Sequence, residues 1–214
     1  MQTTVLIDYG SGNLHSAEKA LAAAARASGS DARVVVTGDP EQVLAADRLV
    51  LPGVGAFAAC MGALEAQPGL IEALGEAVKA RGTPFLGICV GMQLLATRGL
   101  EFGETPGLGW IAGDVRKLQP TDPALKVPHM GWNALQSETS HPLLAHAADG
   151  AHVYFTHSFV LDLKDKADAI AWTEHGEPIV AAVARDNIVG FQFHPEKSQA
   201  VGLRLLGDFL EWRP

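Results

Sequence analysis

Short apolar runs alternate with helical spacings over the first half of the chain. The runs TVLID, ARVVVT, DRLVLPG and TPFLGI, at positions 4–8, 32–37, 47–53 and 83–88, each have the length and composition of one buried strand. Between and after them, apolar residues recur at helical spacing over positions 13–27, 64–79 and 91–98. Apolar strands that alternate with helices are typical of a parallel sheet covered on both faces, so this half predicts a doubly wound α/β layer.

After residue 110 the pattern changes to strands joined by short turns. The segments that predict strands are GDVRKL, GWNAL, AHVYFTHSFV, ADAIAWTEHG, PIVAAVARD and NIVGFQFHP, at 113–118, 131–135, 151–160, 167–176, 178–186 and 187–195. HGEP and RDN have the composition of hairpin turns, and positions 199–212 predict a closing amphipathic helix. We therefore predict one domain over residues 1–214, with a mixed, mostly parallel central sheet flanked by helices and an antiparallel C-terminal portion.

Composition narrows the function classes. The 214 residues carry a formal net charge of −8 with no block of like charge, which disfavours a nucleic-acid surface. MQTTVLIDYG lacks a basic stretch followed by a long apolar run, and no apolar run approaches about 18 residues, so we expect no signal peptide, no membrane span and a cytoplasmic location. The two cysteines form no disulfide framework and the eight histidines show no ligand spacing, so we expect no metal and no cofactor.

One of the two cysteines, Cys89, lies at a glycine-flanked turn. In LGICVGM, positions 86–92, a predicted strand runs into a predicted helix, and G-x-C-x-G has the form of a nucleophile elbow with cysteine in the serine position. Small flanking residues suit a tight, strained turn, and the amides that open the following helix would stabilise a thiolate. From this segment alone, Cys89 is either a nucleophile or a buried inert cysteine.

A histidine and a glutamate follow near the C-terminus. In VGFQFHPEKS, His194 and Glu196 are two residues apart at the end of a predicted strand, so their side chains point to the same side at a separation of roughly 7 Å. Glu196 can fold back to accept a proton from the imidazole, which leaves the other ring nitrogen for a thiol. A surface His–Glu pair is the plain alternative, but the combination with the elbow at Cys89 favours a catalytic pair.

Donors for an oxyanion are the third requirement of acyl transfer. LVLPGVGAF, positions 49–57, places Gly53 and Gly55 just after a predicted parallel strand, at the same edge of the sheet as the elbow. Glycines let backbone N–H groups approach a ligand closely, and one such donor contributes about 3 kcal/mol to a tetrahedral transition state. Taken alone, the segment is more typical of an ordinary strand-to-loop turn.

The elbow at Cys89, the His194-Pro195-Glu196 sequence and the upstream PGVG together resemble the class I (triad) glutamine amidotransferases over essentially the whole chain. Six motifs are similar to those of one branch of that family, the glutaminase subunits of histidine biosynthesis. They are IDYGSGN (7–13), LPGVGAF (51–57), GICVGMQLL (87–95), VPHMGWN (127–133), VYFTHSF (153–159) and FHPEKSQ (193–199). The resemblance implies the flavodoxin-like α/β fold of the family.

The resemblance also implies roles for individual residues. Cys89 would attack the side-chain amide of glutamine, His194 would transfer protons, and Glu196 would orient His194. The backbone of Gly53, Val54 and Val90 would form the oxyanion hole. The positions implied to bind substrate are Gly55, Gln93, Glu101 and the backbone of His157, Ser158 and Phe159.

A partner is implied as well. It would be a (βα)8-barrel cyclase, bound as a heterodimer, that receives ammonia and makes imidazole glycerol phosphate and aminoimidazole carboxamide ribonucleotide. Asn13, Trp132, Tyr154 and Lys197 match positions at that interface, with Tyr154 at the ammonia exit. Burial in the core is the alternative for both Trp132 and Tyr154.

The glycines of PGVG support a regulatory hypothesis. In the isolated subunit, the segment 52–55 would point a carbonyl rather than an N–H into the oxyanion site, and ligand binding by the cyclase would favour the active form.

Four other interpretations remain open at this point. VLIDYGSGNLHSA begins like a dinucleotide fingerprint but has His15 where the third glycine belongs. A thiol hydrolase of the α/β-hydrolase type would share the elbow but needs an acid before His194, for which Asp168 is available. An inactive binding relative is disfavoured because all three triad positions are filled. A glutaminase that serves pyridoxal phosphate synthase is disfavoured by PHMGWN and HPEKS.

Overall fold

The computed structural model describes residues 2–137, 140–147 and 149–214. The strands are β1 (Thr3–Ile7), β2 (Arg33–Thr37), β3 (Arg48–Leu51), β4 (Phe85–Ile88), β5 (Arg98–Gly99), β6 (Thr105–Pro106), β7 (Gly113–Lys117), β8 (His129–Ala134), β9 (His152–His157), β10 (Phe159–Leu163), β11 (Ala169–Glu174), β12 (Pro178–Arg185) and β13 (Ile188–Phe191). The α-helices are α1 (Leu14–Ser28), α2 (Pro40–Leu44), α3 (Phe57–Glu65), α4 (Leu70–Gly75), α5 (Val90–Gln93) and α6 (Gln199–Glu211). A π-helical stretch, Glu76–Ala80, extends α4, and 3₁₀ turns lie at Pro142–Leu144, Lys166–Asp168 and Pro195–Lys197.

Seven strands form the central sheet, in the order β11-β12-β13-β4-β3-β1-β2. The strands from β13 to β2 run parallel, while β11 and β12 add an antiparallel edge. β1, β3, β4 and β13 are buried along almost their whole length, as expected of strands covered on both faces. The predicted fold class, a mixed and mostly parallel sheet with helices and an antiparallel C-terminal portion, is confirmed.

The rest of the C-terminal half forms two smaller sheets, β10-β7-β5-β6 and β8-β9, rather than joining one continuous sheet. The strand predicted over 151–160 is in fact two strands in different sheets, because the chain turns at Ser158, whose carbonyl accepts from the Leu118 N–H (2.9 Å). The strand predicted over 187–195 ends at Phe191, and the His194 N–H donates to Tyr154 of β9 (2.9 Å) instead of continuing along β4. Both differences arise from tertiary hydrogen bonds that a period-two pattern does not record.

Two predicted helices have different extents. The helix predicted over 64–79 starts earlier, at Phe57, and is interrupted by Pro68 and Gly69, where Gly69 has a φ of 76°. The helix predicted over 91–98 ends at Gln93, and Arg98 pairs in a short strand. Its continuation is prevented because the carbonyls of residues 94–96 accept hydrogen bonds from the amides of residues 108–111.

The alanine-rich helix α1 is a scaffold element that packs against α6. Asn13 caps it, since the Asn13 side chain accepts from the Ser16 N–H (3.4 Å), and Gly29 ends it in the left-handed conformation. Its small buried side chains allow the two helices to lie close together.

Three glycines let the turn between β4 and α5 pack closely against the neighbouring strands. A Cβ on Gly87 would lie 2.5 Å from the Gly91 carbonyl oxygen, and a Cβ on Gly91 would overlap the last carbonyl oxygen of β3. A Cβ on Gly190, in β13, would lie 2.6 Å from Met92 Cγ. Glycine is therefore required where the carboxyl ends of β3, β4 and β13 meet α5.

We expect Gly91→Ala to lower the free energy of unfolding by about 1–3 kcal/mol, because the added methyl group overlaps the backbone of β3. Gly62→Ala is the matched control. Gly62 lies on the exposed side of α3 with open space around it, so alanine there should raise the free energy of unfolding by about 0.5–1 kcal/mol. Urea denaturation followed by circular dichroism measures both, and a Gly91→Ala variant as stable as the wild type would contradict the packing argument.

Candidate active site

Cys89 occupies a strained backbone position between β4 and α5. Its φ of 54° and ψ of −110° are unusual for a residue with a side chain. The Cys89 N–H donates to the Phe191 carbonyl (2.7 Å), and the amides of Met92 and Gln93 both donate to the Cys89 carbonyl (3.1 Å). These bonds fix the turn, which has the form of the predicted elbow at the carboxyl edge of the sheet. The Cys89 side chain is nearly enclosed, with the residue 4% exposed.

His194 lies between the thiol and a carboxylate. Its Nδ1 is 2.7 Å from Glu196 Oε1, and both side chains are almost completely buried. Burial alone lowers the pKa of the His194 imidazole, but side-chain hydrogen bonds with Cys89 and Glu196, together with the charges of the same two groups, outweigh it and raise the pKa to about 9. His194 therefore holds a proton at neutral pH and can pass it on to a leaving group. The three residues predicted from the spacing come together in one place.

The histidine loop is held by Ser198, a fully buried residue that sequence reasoning missed. The Ser198 hydroxyl donates to the His194 carbonyl (2.6 Å) and accepts from the Tyr154 N–H (3.0 Å). It thus ties the His194–Glu196 turn to β9. A serine two residues after Glu196 in the sequence was the only available signal.

Asp168, the acid of the thiol-hydrolase alternative, is engaged elsewhere. Arg185 donates to both of its carboxylate oxygens, with Nε 3.0 Å from Oδ1. The carboxylate beside His194 is Glu196, so the geometry does not support that alternative. Packing explains Gly12, one of the glycines that suggested a dinucleotide site, since a Cβ at this position would lie 3.0 Å from Pro52 Cγ.

Gln192, also fully buried, is the second residue that sequence reasoning missed. Its Nε2 lies 3.9 Å from Cys89 Sγ, and its Oε1 accepts from Gln93 Nε2 (3.1 Å). A polar residue in the otherwise apolar strand GFQF, two positions before His194 and therefore on the same side, is the signal that could have identified it.

A cavity of about 770 Å³ lies next to this group. All the predicted substrate-binding residues are among those that line it: Gly55, Gln93, Glu101, His157, Ser158 and Phe159. The Glu101 carboxylate accepts from the Phe57 N–H (2.8 Å), which fixes its loop against α3. Lys117 adds a cation to the wall. Cys89 and His194 are not among the described residues that line the cavity, and the lining residue Gln93 is connected to Cys89 through Gln192.

The predicted oxyanion segment has a carbonyl next to the elbow. The Val90 N–H donates to the Gly53 carbonyl (3.3 Å), so that amide is already engaged. The neighbouring carbonyls are also held, because Tyr9 Oη donates to the Pro52 carbonyl (2.7 Å) and Cys60 Sγ donates to the Val54 carbonyl (3.3 Å). Ser11 Oγ donates to the same Val54 carbonyl (3.1 Å). This carbonyl orientation agrees with the regulatory hypothesis drawn from PGVG.

Three of the four predicted interface residues are neighbours. The Trp132 and Tyr154 rings meet edge to face with centroids 6.0 Å apart, and Lys197 Nζ lies 5.7 Å from the Tyr154 centroid. Trp132 is 47% exposed, so it is not the core tryptophan of the alternative interpretation. Asn13 lies at the exposed start of α1, where it caps the helix.

Within residues 2–137, 140–147 and 149–214, no group of three or more histidine, cysteine, aspartate or glutamate side chains has the arrangement of a metal site. No helix in the same ranges is long and apolar enough to cross a membrane.

Solved structures share this fold. A crystal structure of a glutamine amidotransferase superimposes with a TM-score of 0.70, covering 97% of each chain at 19% identity. A glutamine amidotransferase from Thermotoga maritima superimposes with a TM-score of 0.58, covering 91% of this chain and 76% of its own at 17% identity.

Sequence comparisons are more specific. The family model for class-I glutamine amidotransferases matches residues 5–211. The imidazole glycerol phosphate synthase subunit HisH of Caulobacter vibrioides is 61% identical over the full length of both chains, and that of Rhodospirillum rubrum is 59% identical over 98% of each. The chain therefore belongs to the class-I glutamine amidotransferase family and, within it, to the HisH subunits of imidazole glycerol phosphate synthase.

Proposed function

We propose that this chain is a glutaminase that hydrolyses glutamine through Cys89, His194 and Glu196 and supplies ammonia to a cyclase subunit in histidine biosynthesis. The observation that carries the proposal is the meeting of the elbow thiol with a buried His194–Glu196 pair at the carboxyl edge of the sheet. Membership of the HisH subunits supports the same activity. Residues 1–214 act as one glutamine amidotransferase unit in this proposal.

The chemistry follows from the proton on His194. The Cys89 sulfur, whose proton is held by His194, attacks the side-chain amide carbon of glutamine as a thiolate, and His194 gives that proton to the departing nitrogen, which leaves as ammonia when the carbon–nitrogen bond breaks. A glutamyl thioester remains. Water then attacks the thioester while His194 takes one of its protons, and glutamate is released with the thiolate restored. Glu196 keeps the imidazole in orientation and stabilises its charged form.

The cavity fits the rest of the glutamine molecule. Glutamine carries an α-ammonium and an α-carboxylate, and the wall offers the Glu101 carboxylate, the Gln93 amide and backbone of residues 157–159. We assign Gly55, Gln93, Glu101, His157, Ser158 and Phe159 to substrate binding. An anion beside the ammonium group would favour glutamine over an uncharged amide.

The oxyanion hole requires one rearrangement. We assign the oxyanion hole to the backbone of Gly53, Val54 and Val90. The hydrogen bond from the Val90 N–H to the Gly53 carbonyl must break before the Val90 amide can bind an oxyanion. Binding of ligand to the cyclase would favour the rotated form, which couples glutamine hydrolysis to the presence of an acceptor for ammonia.

The partner in this proposal is a (βα)8-barrel cyclase that binds Asn13, Trp132, Tyr154 and Lys197. The exposed Trp132 ring, with Tyr154 beside it, supports such a contact because aromatic residues are enriched at protein interfaces. Internal transfer avoids loss of ammonia to water as ammonium. We place the reaction in the cytoplasm, where a nucleophilic thiol stays reduced.

Cys89→Ala should abolish glutamine-dependent synthesis by the complex with the cyclase and leave ammonium-dependent synthesis intact. The reason is that only the first nitrogen source needs the thiol. Product formation measured with glutamine and with ammonium chloride separates the two, and the ammonium reaction serves as the folding and assembly control. Loss of both activities would argue against the assigned role.

Glu196→Gln should shift the alkaline limb of glutaminase activity to lower pH by about one unit. The protonated form of His194 donates to ammonia, so activity falls as the pH passes the pKa of His194, which is about 9 with Glu196 present. Removal of the negative charge lowers that pKa. The pH dependence of kcat, with the exposed Glu65→Gln as control, measures the shift. An unchanged limb would show that Glu196 does not set the protonation of His194.

The purified chain without cyclase should hydrolyse glutamine at least tenfold more slowly than the complex with cyclase and its nucleotide ligand, because the Val90 amide is engaged by Gly53. Glutamate release in the two samples tests this. Full turnover by the isolated chain would overturn the regulatory part of the proposal without affecting the triad assignment.

A further inference from the structure

Two buried histidines connect the β8-β9 hairpin to the cavity. His129 and His157 are paired across the hairpin, and His129 Nδ1 lies 3.0 Å from His157 Nε2. His157 lines the cavity, whereas His129 lies behind it and is 3% exposed. In a neutral pair of this kind, one ring must donate and the other accept, and the outer contacts of each ring decide which.

The outer contact of His129 is Asn133, whose amide orientation is fixed by its own partners. Asn133 Oδ1 accepts from the Ala134 N–H (2.8 Å), and Asn133 Nδ2 donates to the Glu174 carbonyl (2.8 Å). The amide nitrogen therefore faces His129 Nε2 at 3.1 Å and donates to it. Since Nε2 accepts, the proton of neutral His129 is on Nδ1, and His129 donates toward His157.

The outer contact of His157 leads independently to the same direction. Its Nδ1 lies 3.0 Å from the Phe159 carbonyl oxygen, which can only accept. His157 therefore carries its proton on Nδ1 and accepts at Nε2 from His129. The two ends of this series of hydrogen bonds, the Asn133 amide and the Phe159 carbonyl, require the same arrangement of protons.

Both rings remain neutral at physiological pH. Burial, followed by the nearby His175, lowers the pKa of His129 to about 4. Burial, followed by the charge of His129, lowers the pKa of His157 to about 3, and His175 and His194 act in the same direction, while the bond to the Phe159 carbonyl acts against them. His129 and His157 are therefore both neutral during turnover, and each has a defined donor nitrogen.

The series of hydrogen bonds that runs from Asn133 through His129 and His157 ends on groups that surround Cys89. The Phe159 carbonyl also accepts from Gln93 Nε2 (2.9 Å), and the same Nε2 donates to Gln192 Oε1 (3.1 Å). With the Gln93 amide nitrogen committed in this way, its Oε1 is the atom left to receive a donor from the substrate. Gln192 Nε2 is likewise left to face Cys89 Sγ at 3.9 Å.

We propose that His129, which does not touch the cavity, is a positioning residue for glutamine binding: it holds His157 in the Nδ1–H form and thereby fixes the Phe159 carbonyl and the Gln93 amide. This inference rests on the proposed function for its kinetic consequence, but the proton positions it assigns do not. If His129 could not donate, His157 would either bury an unpaired Nε2 or move its proton there, and an unprotonated Nδ1 would then face the Phe159 oxygen.

The proton positions are tested by nitrogen-15 NMR of the imidazole rings in the full chain at neutral pH. We expect both His129 and His157 to give the spectrum of the Nδ1–H tautomer. As a second variant, Asn133→Asp places a carboxylate acceptor opposite His129 Nε2, so that this atom, unprotonated in the wild type, should become protonated. An Nε2–H tautomer at either histidine in the wild type, or no change at His129 in Asn133→Asp, would overturn the assignment.

The positioning role is tested by two substitutions of the same residue, assayed in the complex with cyclase. In His129→Asn the side-chain nitrogen is as many bonds from Cα as Nδ1 and can still donate to His157, so KM for glutamine should stay within about threefold of wild type. His129→Leu removes the donor and should raise KM about tenfold or more, with a smaller effect on kcat. Equal KM values for the two variants would overturn the role.

The design separates failure of this inference from failure of the proposed function. Ammonium-dependent synthesis should be unchanged in both variants, which checks folding and partner binding. If the wild-type complex hydrolysed no glutamine, the proposed function would fall, and the NMR spectra would still decide the proton positions. If His129→Leu did not fold, the wild-type and Asn133→Asp spectra would remain as the test.

Discussion

The close packing of the turn at Cys89 against β3 and β13 is the constraint on which the rest of the site depends. These two strands flank β4 in the sheet, so the order β13-β4-β3 delivers three loops to one carboxyl edge. β4 brings the thiol, β13 brings His194 and Glu196, and β3 brings the segment 52–55. The glycines at 87, 91 and 190 remove the side chains that would keep these loops apart. Cys89 and His194 are more than a hundred positions apart in the sequence, and they meet because β4 and β13 are neighbours in the sheet.

Around this apolar packing lies a set of buried polar side chains that are hydrogen-bonded to one another. A buried amide or imidazole without a partner costs free energy, so each member restricts the orientation of the next. Gln192, Gln93 and His157 are connected in this way to the Phe159 carbonyl. β8, which carries His129, also carries the exposed Trp132. The β8-β9 sheet thus forms part of the surface proposed for the partner and part of the wall of the cavity.

Sequence patterns predicted the parallel strands and the grouping of Cys89, His194 and Glu196 because both depend on local signals. Cys89 stands between glycines, and Glu196 follows His194 at a spacing that places both on one side. Gln192 was missed because a single polar residue in an apolar strand is usually explained by packing. The break at Ser158 was missed because alternation continues through it, and only the bond to Leu118 separates the two strands. Pro68 and Gly69, by contrast, were visible signals of a helix break, but the helical spacing of apolar residues over 64–79 was given more weight.

The orientation of the peptide between Gly53 and Val54 cannot be predicted from the spacing of residues in the sequence. The surroundings of this peptide explain how its orientation can change. The Pro52 carbonyl is held by Tyr9 and the Val54 carbonyl by Ser11 and Cys60, so the peptides on either side are fixed. Rotation is thereby confined to the central peptide, and the bond it must break is the one from the Val90 N–H to the Gly53 carbonyl. One such bond contributes about 1 kcal/mol, which is small compared with what contact with a partner can supply. A Cβ on Gly53 would lie 2.7 Å from the Gly91 nitrogen, so only glycine permits this peptide to lie against the elbow at all.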